Sequence, residues 1–418
     1  MTERPETPQL RAVEAFPARV EDREVICLRD PTGVTEAVLT VPRALAPILA
    51  LFDGARSLVD VQAEIMRQTG ELVLRSQLES MLEILDQNFF LEGPRLDAER
   101  ARQRLAFLGA ATRPAFLAGR SYPDEPEELA AALTGYFGAP GGPGPVEAPR
   151  EVRARGLVAP HIDFNRGAPA YAWAYRALAE AQEVDCFVVL GTAHAGLDGH
   201  AFAATAKGFE TPFGVLEVDH DVLDAVVRRV PDDLFAAELA HRNEHSVEFQ
   251  TVWLQYLAER RGGGPRRIVP LLTSFAHECL IRGGSPAGQP EVERVLDAVR
   301  NAMATVPRRY CVVAGADLAH VGARFGDPWP VGPAELTRVE ADDRALLDPV
   351  ARGDAEGFFG EATRQQDRNR ICGLSPIYSL LRLLPSGAGR LLHYGQWPDP
   401  EGTVTFASVS FEDGATPR

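Results

Sequence analysis

The chain has 418 residues and a formal net charge of −16, from 59 acidic and 43 basic side chains. That length suits two hydrophobic cores, and that charge repels phosphate backbones, which excludes nucleic acid as the default partner. No run of about 18 apolar residues is present to cross a bilayer, MTERPETPQL lacks the apolar centre of a secretory signal, and five scattered cysteines without a CxxC pair fit a reducing compartment, so the expectation is a cytoplasmic protein without membrane contact.

In chain order, residues 1–14 read as a disordered tail and residues 15–93 as a self-contained α+β module. EVICL (24–28) and AVLTV (37–41) predict short strands around a DPTG turn. Three helical patterns follow: RALAPILALFDG, SLVDVQAEIMRQTG and RSQLESMLEILDQNFF. Ser57 fits an N-cap with Asp60 three residues on, and Gly70 stands where a C′ glycine belongs. Asn88 to Leu91 then turn back as a small wing. A winged helix that reads DNA needs Lys and Arg on its recognition helix. Here Arg67 faces Asp60 and Glu64, and Arg75 faces Glu79, Glu83 and Asp86. Peptide or domain docking, or a cap on the following domain, fits that charge better.

Residues 94–112, with DAERARQR near the centre, read as a linker. GAPGGPGPVEAPR (138–150) is too rich in Gly and Pro for a regular element. From Arg153 the grammar changes to apolar strands followed by helices: GLVA (156–159), CFVVLG (186–191), RIVPLL (267–272), YCVVAG (310–315) and VTFASVSF (404–411). Near-continuous apolar strands alternating with helical patterns predict an α/β sheet flanked by helices on both faces.

Polar residues collect at the ends of those strands. The first ends in Pro160-His161, the second in GTAHAG with His194, and the fourth in ADLAHVG with Asp317 and His320. If the strands run parallel, the three histidines converge on the carboxyl edge of the sheet, where ligands bind in open α/β folds. Cys372, in RNRICGLSPIYSLLRLL, precedes a helix expected to begin near Ser375-Pro376. A helix N-terminus and Arg368 and Arg370 nearby would favour its thiolate. Two imidazoles and a thiolate suit Zn, Fe or Cu rather than Mg or Ca. HRNEH (241–245) matches the H-x-x-E-H zinc-protease pattern through His241, Glu244 and His245. Ser246, as an N-cap for the next helix, would leave both of those histidines in a loop.

The segments RPAFLAGRSYP (113–123), VAPHIDFNRGAPAYAWAY, VVLGTAHAG, ETPFGVLEVD, NEHSVEFQTVWLQYL, IVPLLTSF, VVAGADLAHVG and ICGLSPI are collinear with, and resemble, the MEMO family, system protein B of the AmmeMemoRadiSam set. They define a domain over 113–418. LFDGARSLVDVQAEI followed by LESMLEILDQNFFL resembles PqqD-like peptide-recognition modules over about 15–93. The first resemblance implies a fold like the class III extradiol dioxygenases. It also implies a metal triad of His161, His194 and Cys372, an acid–base His320 beside Asp317, and a pocket-lining Glu244–His245 pair. Two departures stand out: GTAHA replaces GPSHH, leaving His194 without a second histidine, and IDF with Phe164 replaces AGY. A thiolate where dioxygenases have a carboxylate donates more charge to iron, favours copper or zinc, and is itself oxidisable; iron or copper is expected ahead of zinc, and fold alone does not establish ring cleavage.

The function that follows is a metal-dependent redox enzyme or dioxygenase-like protein, with radical-SAM and AMMECR-type partners and a peptide or small aromatic substrate. The alternatives are a non-catalytic metal- or peptide-binding scaffold and, less favoured, the H-x-x-E-H protease.

Overall fold

The structure is a computed structural model that describes residues 6–20, 23–30, 32–261, 266–384 and 387–413. The chain forms two compact units, Met1–Gly109 and Ala110–Arg418.

In the first unit, strands β1 (Glu14–Val20), β2 (Arg23–Arg29) and β3 (Val38–Pro42) form an antiparallel sheet in that order. β2 and β3 are the two expected strands, paired from Arg29↔Val38 to Val25↔Pro42. β1 carries no apolar signal in EAFPARV because nearly all of it is exposed. Helices Leu58–Thr69 and Arg75–Gln87 pack Val61, Ile65, Leu78, Leu82 and Leu85 against Leu28, Phe52 and Phe90. Ser57 and Asp60 form a reciprocal capping box, and Gly70 ends that helix at φ +73°. The first helical pattern yields only a short 3₁₀ segment and one α turn, Ala46–Leu49.

Two boundaries differ from the sequence expectation. Part of the expected tail is ordered: Gln9 bridges to Asp53, Leu10 bridges to Leu91, and buried Arg11 pairs with buried Asp30. Residues 1–5 lie outside the described residues. The expected linker is mostly a 16-residue helix, Pro94–Gly109. Its Glu99–Arg102 and Glu99–Gln103 pairs, at i,i+3 and i,i+4, are helix-stabilising contacts on a surface that reads as a solvated linker.

The second unit is built on one large mixed sheet. Its strands are β4 (Thr112–Arg113), β5 (Ala154–Ala159), β6 (Cys186–Thr192), β7 (Phe202–Ala204), β8 (Gly208–Thr211), β9 (Gly214–Val218), β10 (Arg267–Thr273), β11 (Tyr310–Gly315), β12 (Asp317–Val321), β13 (Gly389–Trp397) and β14 (Thr403–Glu412). The central order is β14-β5-β11-β6-β10-β9. β5, β11, β6 and β10 are mutually parallel neighbours, which satisfies the condition for convergence at one edge. β14 closes the β5 side antiparallel, with β12 and β13 paired to it.

Helices Phe164–Ala179 and His245–Arg261 touch each other and form one layer against the sheet. Helix Leu374–Leu383, backed by Pro290–Thr305 and Ala355–Arg364, covers the opposite face of the same central strands. The core between the layers is dominated by fully buried Val188, Val189, Leu190, Val312 and Val313, with Trp253, Tyr171 and Tyr175 under the first layer. Residues 141–150 adopt no regular element.

Candidate metal centre

The parallel strands deliver their terminal side chains to one edge. His161 follows β5 after Pro160. Its backbone N–H donates to Asp317 Oδ1 at 2.9 Å, and its Nδ1 lies 2.9 Å from the Gly315 carbonyl. A carbonyl only accepts, so Nδ1 carries the proton and Nε2 presents its lone pair, which the Cys372 thiol meets at 3.1 Å. Gly315 has to be glycine: a Cβ there would lie 2.3 Å from the Ser246 carbonyl, at the start of helix His245–Arg261.

His194, just past β6, is held by Glu244. The carboxylate accepts the His194 backbone N–H at 2.9 Å and sits 3.0 and 3.1 Å from its Nδ1. This second imidazole therefore also carries a proton on Nδ1, which turns Nε2 away from Glu244. Glu244 further accepts the Ser246 N–H at 2.9 Å and lies 3.3 Å from His245 Nδ1. The three rings form a triangle, with centroids 4.5, 4.9 and 5.1 Å apart. One ligand atom from each of His161, His194 and His245 lies within 4.8 Å of the others, a spacing at which one ion could be held. Cys372 Sγ lies 3.1 Å from His161 Nε2, on the border of the same space.

Burial and mutual repulsion set the protonation states. His161 is pushed well below the usual histidine range by burial and by His194 and His245. His245 falls to about 4, chiefly through burial. Burial also opposes charge on His194, but Glu244 outweighs it and holds that ring above its ordinary value. Glu244 is driven up by burial, yet His194, His245 and its hydrogen bonds leave it below the usual carboxylate range. Asp317 goes the other way: burial outweighs the backbone N–H groups and lifts it to about 7. The cluster thus presents two neutral imidazoles, one carboxylate-paired imidazole and a carboxyl poised near neutrality.

Each residue singled out in the sequence can now be placed. His161, His194, Glu244, His245, Asp317 and Cys372 come together. His320 stands on β12, with Nδ1 3.1 Å from the Leu318 carbonyl and its ring edge-on to Phe325. Burial, with His194 nearby, lowers it to about 4, so it is neutral at physiological pH. Cys372 is not the thiolate-prone residue expected: burial and then Asp317 raise its thiol well above the ordinary value. The two arginines that would have favoured the thiolate are turned elsewhere, Arg368 onto Asp342 and Arg370 onto Asp327 and the His320 carbonyl. The following helix begins at Leu374, which puts Pro376 third rather than first.

His241 does not share a helix face with His245. It lies in the 3₁₀ turn Glu238–Arg242, its Nε2 donating to the Ala203 carbonyl at 3.0 Å, while helix His245–Arg261 starts at His245. The H-x-x-E-H protease geometry is therefore absent. Ser246 is the second residue of that helix and not its cap, and Glu244 receives its N–H instead. Phe164 belongs to the aromatic core with Tyr122, Phe249 and Tyr171.

Sequence reasoning missed the brace beneath the site. Fully buried Arg113 donates to the carbonyls of His241 and Glu244, both at 2.9 Å, and pairs with fully buried Glu248. Glu248 also accepts the Leu117 N–H at 2.8 Å and the Tyr122 hydroxyl at 2.6 Å. RPAFLAGRSY supplies these partners, but nothing in that stretch alone says which carbonyls it holds.

A family model described as Memo-like protein matches residues 113–413. A MEMO1 family protein of Aquifex aeolicus is 26% identical over 389 residues, covering 92% of this chain and 95% of its own. Coverage that high carries the likeness well into the first unit. A MEMO1 family protein of Thermus thermophilus is 30% identical over 343 residues, 81% of this chain and 93% of that one. One from Pyrococcus furiosus is 30% identical over 294 residues, 68% of this chain and 91% of its own. The match runs from the Arg113 brace through all three histidines and Cys372 to the last strand, and on that evidence the chain belongs to the Memo-like family.

Proposed function

We propose that the second unit binds a single transition-metal ion and uses it in redox chemistry on an oxygen-bearing substrate. The observation that carries this reading is the set of ring nitrogens: His161 and His194 each spend Nδ1–H on a fixed acceptor, so that Nε2 is the nitrogen each has left to offer an ion, beside His245 and Cys372. Histidine ligands are oriented in this way by their second hydrogen bond. Imidazoles with a thiol fit iron, copper or zinc and fit Mg or Ca poorly, and redox chemistry selects iron or copper among the three. His161 and His194 would be the fixed pair, with His245 and Cys372 placed to complete the set. The bound ion would supply Lewis acidity or electron transfer.

The chain's own residues would orient and move protons. Glu244 holds two imidazoles in register. Neutral His320 is a base with one ring nitrogen uncommitted, and Asp317 holds or releases a proton near pH 7. A peptide or small aromatic substrate, within a modification pathway that includes radical-SAM and AMMECR-type proteins, is the setting the family resemblance supports.

A second observation favours docking by the first unit. β3 is the edge strand of its sheet among the described residues, and a groove of about 480 Å³ runs beside it. Leu39, Val41, Leu45, Met81, Ile84 and Leu85 line it. A PqqD-like module that seats a peptide partner matches that surface.

The deciding experiment is metal analysis of protein purified without oxygen. Near-stoichiometric iron or copper, lost in His161→Ala and His194→Ala, supports the reading, and comparing His245→Ala with Cys372→Ser shows which residue is the third ligand. Metal retained in both of the first two variants refutes the site. No metal after reconstitution favours the non-catalytic binding protein.

A further inference from the structure

The segment between helix Ala355–Arg364 and Cys372 is the most strained stretch of the second unit. Gln366, Asp367 and Arg370 have φ of +55°, +43° and +53°, a left-handed conformation costly for residues with a Cβ. Three such residues within five positions persist only if surrounding contacts over-determine them: Asp367 meets His277 and the Ile371 N–H, Arg370 meets Asp327, and the two residues between them, Arg368 and Asn369, are both held by one carboxylate. Asp342, on helix Pro333–Ala351, accepts from Arg368 Nη2 at 2.5 Å and Nε at 3.1 Å, from Asn369 Nδ2 at 3.0 Å and from Arg338 at 2.9 Å. Its backbone carbonyl accepts Gln365 Nε2 at 3.0 Å.

The held segment reaches the candidate metal centre by two routes. The carbonyl of buried Asn369 accepts the His320 N–H at 2.7 Å, and Arg370 Nε returns to the His320 carbonyl at 3.1 Å. Two residues on, Cys372 offers its carbonyl to Thr192 Oγ1 at 3.0 Å and its Sγ to His161. Gly373 then donates to the Asp317 carbonyl at 3.1 Å, at a position where a Cβ would lie 2.5 Å from that same oxygen. The segment therefore grips β12 and presents the thiol in one piece.

We propose that Asp342 is a positioning residue: through Asn369 and the strained 365–371 segment it sets Cys372 against His161 and fixes His320, so that both move as one unit when it is released. This goes beyond the metal reading and is tested without metal.

The test uses the full-length, chelator-treated chain. Modification of each cysteine by N-ethylmaleimide is followed by mass spectrometry, with Cys27, Cys186, Cys279 and Cys311, all buried, as internal reporters of global opening. Asp342→Asn is expected to raise the Cys372 rate about tenfold, through local rather than global opening, while the other four rates stay at wild type. Arg368→Gln, at a half-exposed position, is expected to raise it in the same sense and decides the matter if Asp342→Asn does not fold. Asp348→Asn, on the exposed side of the same helix, should change no rate. Histidine side-chain NMR of the same samples should show His320 shifted and His241 unmoved. An unchanged Cys372 rate, a rise shared equally by all five cysteines, or a faster Cys372 with His320 unmoved would each overturn the proposal. Because no metal is present, failure of the metal reading leaves this result intact.

Discussion

Glu244 is the most heavily used side chain at the site: one carboxylate meets the backbone and ring of His194, the ring of His245 and the N–H of Ser246. Glu244→Gln keeps the shape, removes the charge, and offers an amide nitrogen where a second acceptor is needed. Its expected effect is a roughly 10- to 100-fold loss of metal affinity, the usual cost of removing a ligand-orienting partner. Competition titration with a chromophoric chelator measures it, and unchanged affinity would show that the His194 tautomer is set some other way. The identities of His161, His194 and Cys372 as candidates were legible because each follows an apolar strand or precedes a helix. The resemblance placed His245 at the pocket with Glu244, but its standing as a third ring of the cluster was not legible. It depends on Glu244 drawing two distant turns together, and no local pattern encodes that.

At the scale of elements, the Arg113–Glu248 pair fixes the turn carrying Glu244 and His245 to the start of the domain. Both side chains are fully buried, so Arg113→Met leaves an unpaired carboxylate in the core and is expected to cost about 3–5 kcal/mol in urea denaturation. The double variant Arg113→Met with Glu248→Met should recover much of that loss. If the two single losses simply add, the pair is not coupled. Elements also show where sequence reading works. The parallel core strands were legible because they are buried on both faces and read as unbroken apolar runs. The capping box at Ser57 and the C′ Gly70 were legible because capping is local chemistry. β1 and helix Pro94–Gly109 were missed because both are polar and largely exposed, so their apolar pattern is faint.

For the whole molecule, stability should carry a pH signature from a buried acid remote from the metal cluster. Asp343 is fully buried between helix Pro333–Ala351 and the β13–β14 pair, where Thr405 and Tyr394 donate to Oδ2 at 2.6 and 2.8 Å. Burial lifts it from 3.8 to about 7. A folded value above the unfolded one means that the folded state holds the proton more tightly. Its contribution is therefore complete below pH 4 and is lost as pH rises towards 7. The loss amounts to roughly 4 kcal/mol. Asp343→Asn should flatten that part of the profile and stabilise the protein at pH 7.5, as read from urea midpoints at pH 4.5 and 7.5. An unaltered profile would mean that Asp343 ionises freely in the folded state. The two compact units lead to a further expectation: residues 110–418 expressed alone should retain the metal content of the full chain. Among the described residues no helix is long and apolar enough to cross a membrane.

The sequence alone determined what depends on neighbours along the chain. Apolar runs specified the buried strands, caps and glycines bounded helices, and collinear motifs pointed to the family that the comparisons then established. The tertiary structure decided everything that depends on residues far apart. Gly315 and Glu244 select the tautomers of two histidines from 154 and 50 positions away. Burial, invisible in a linear sequence, drives the Cys372 thiol up where the adjacent arginines promised the reverse. Hydrogen bonding and desolvation act through space over a few ångströms, and only the folded sheet brings those groups within that range.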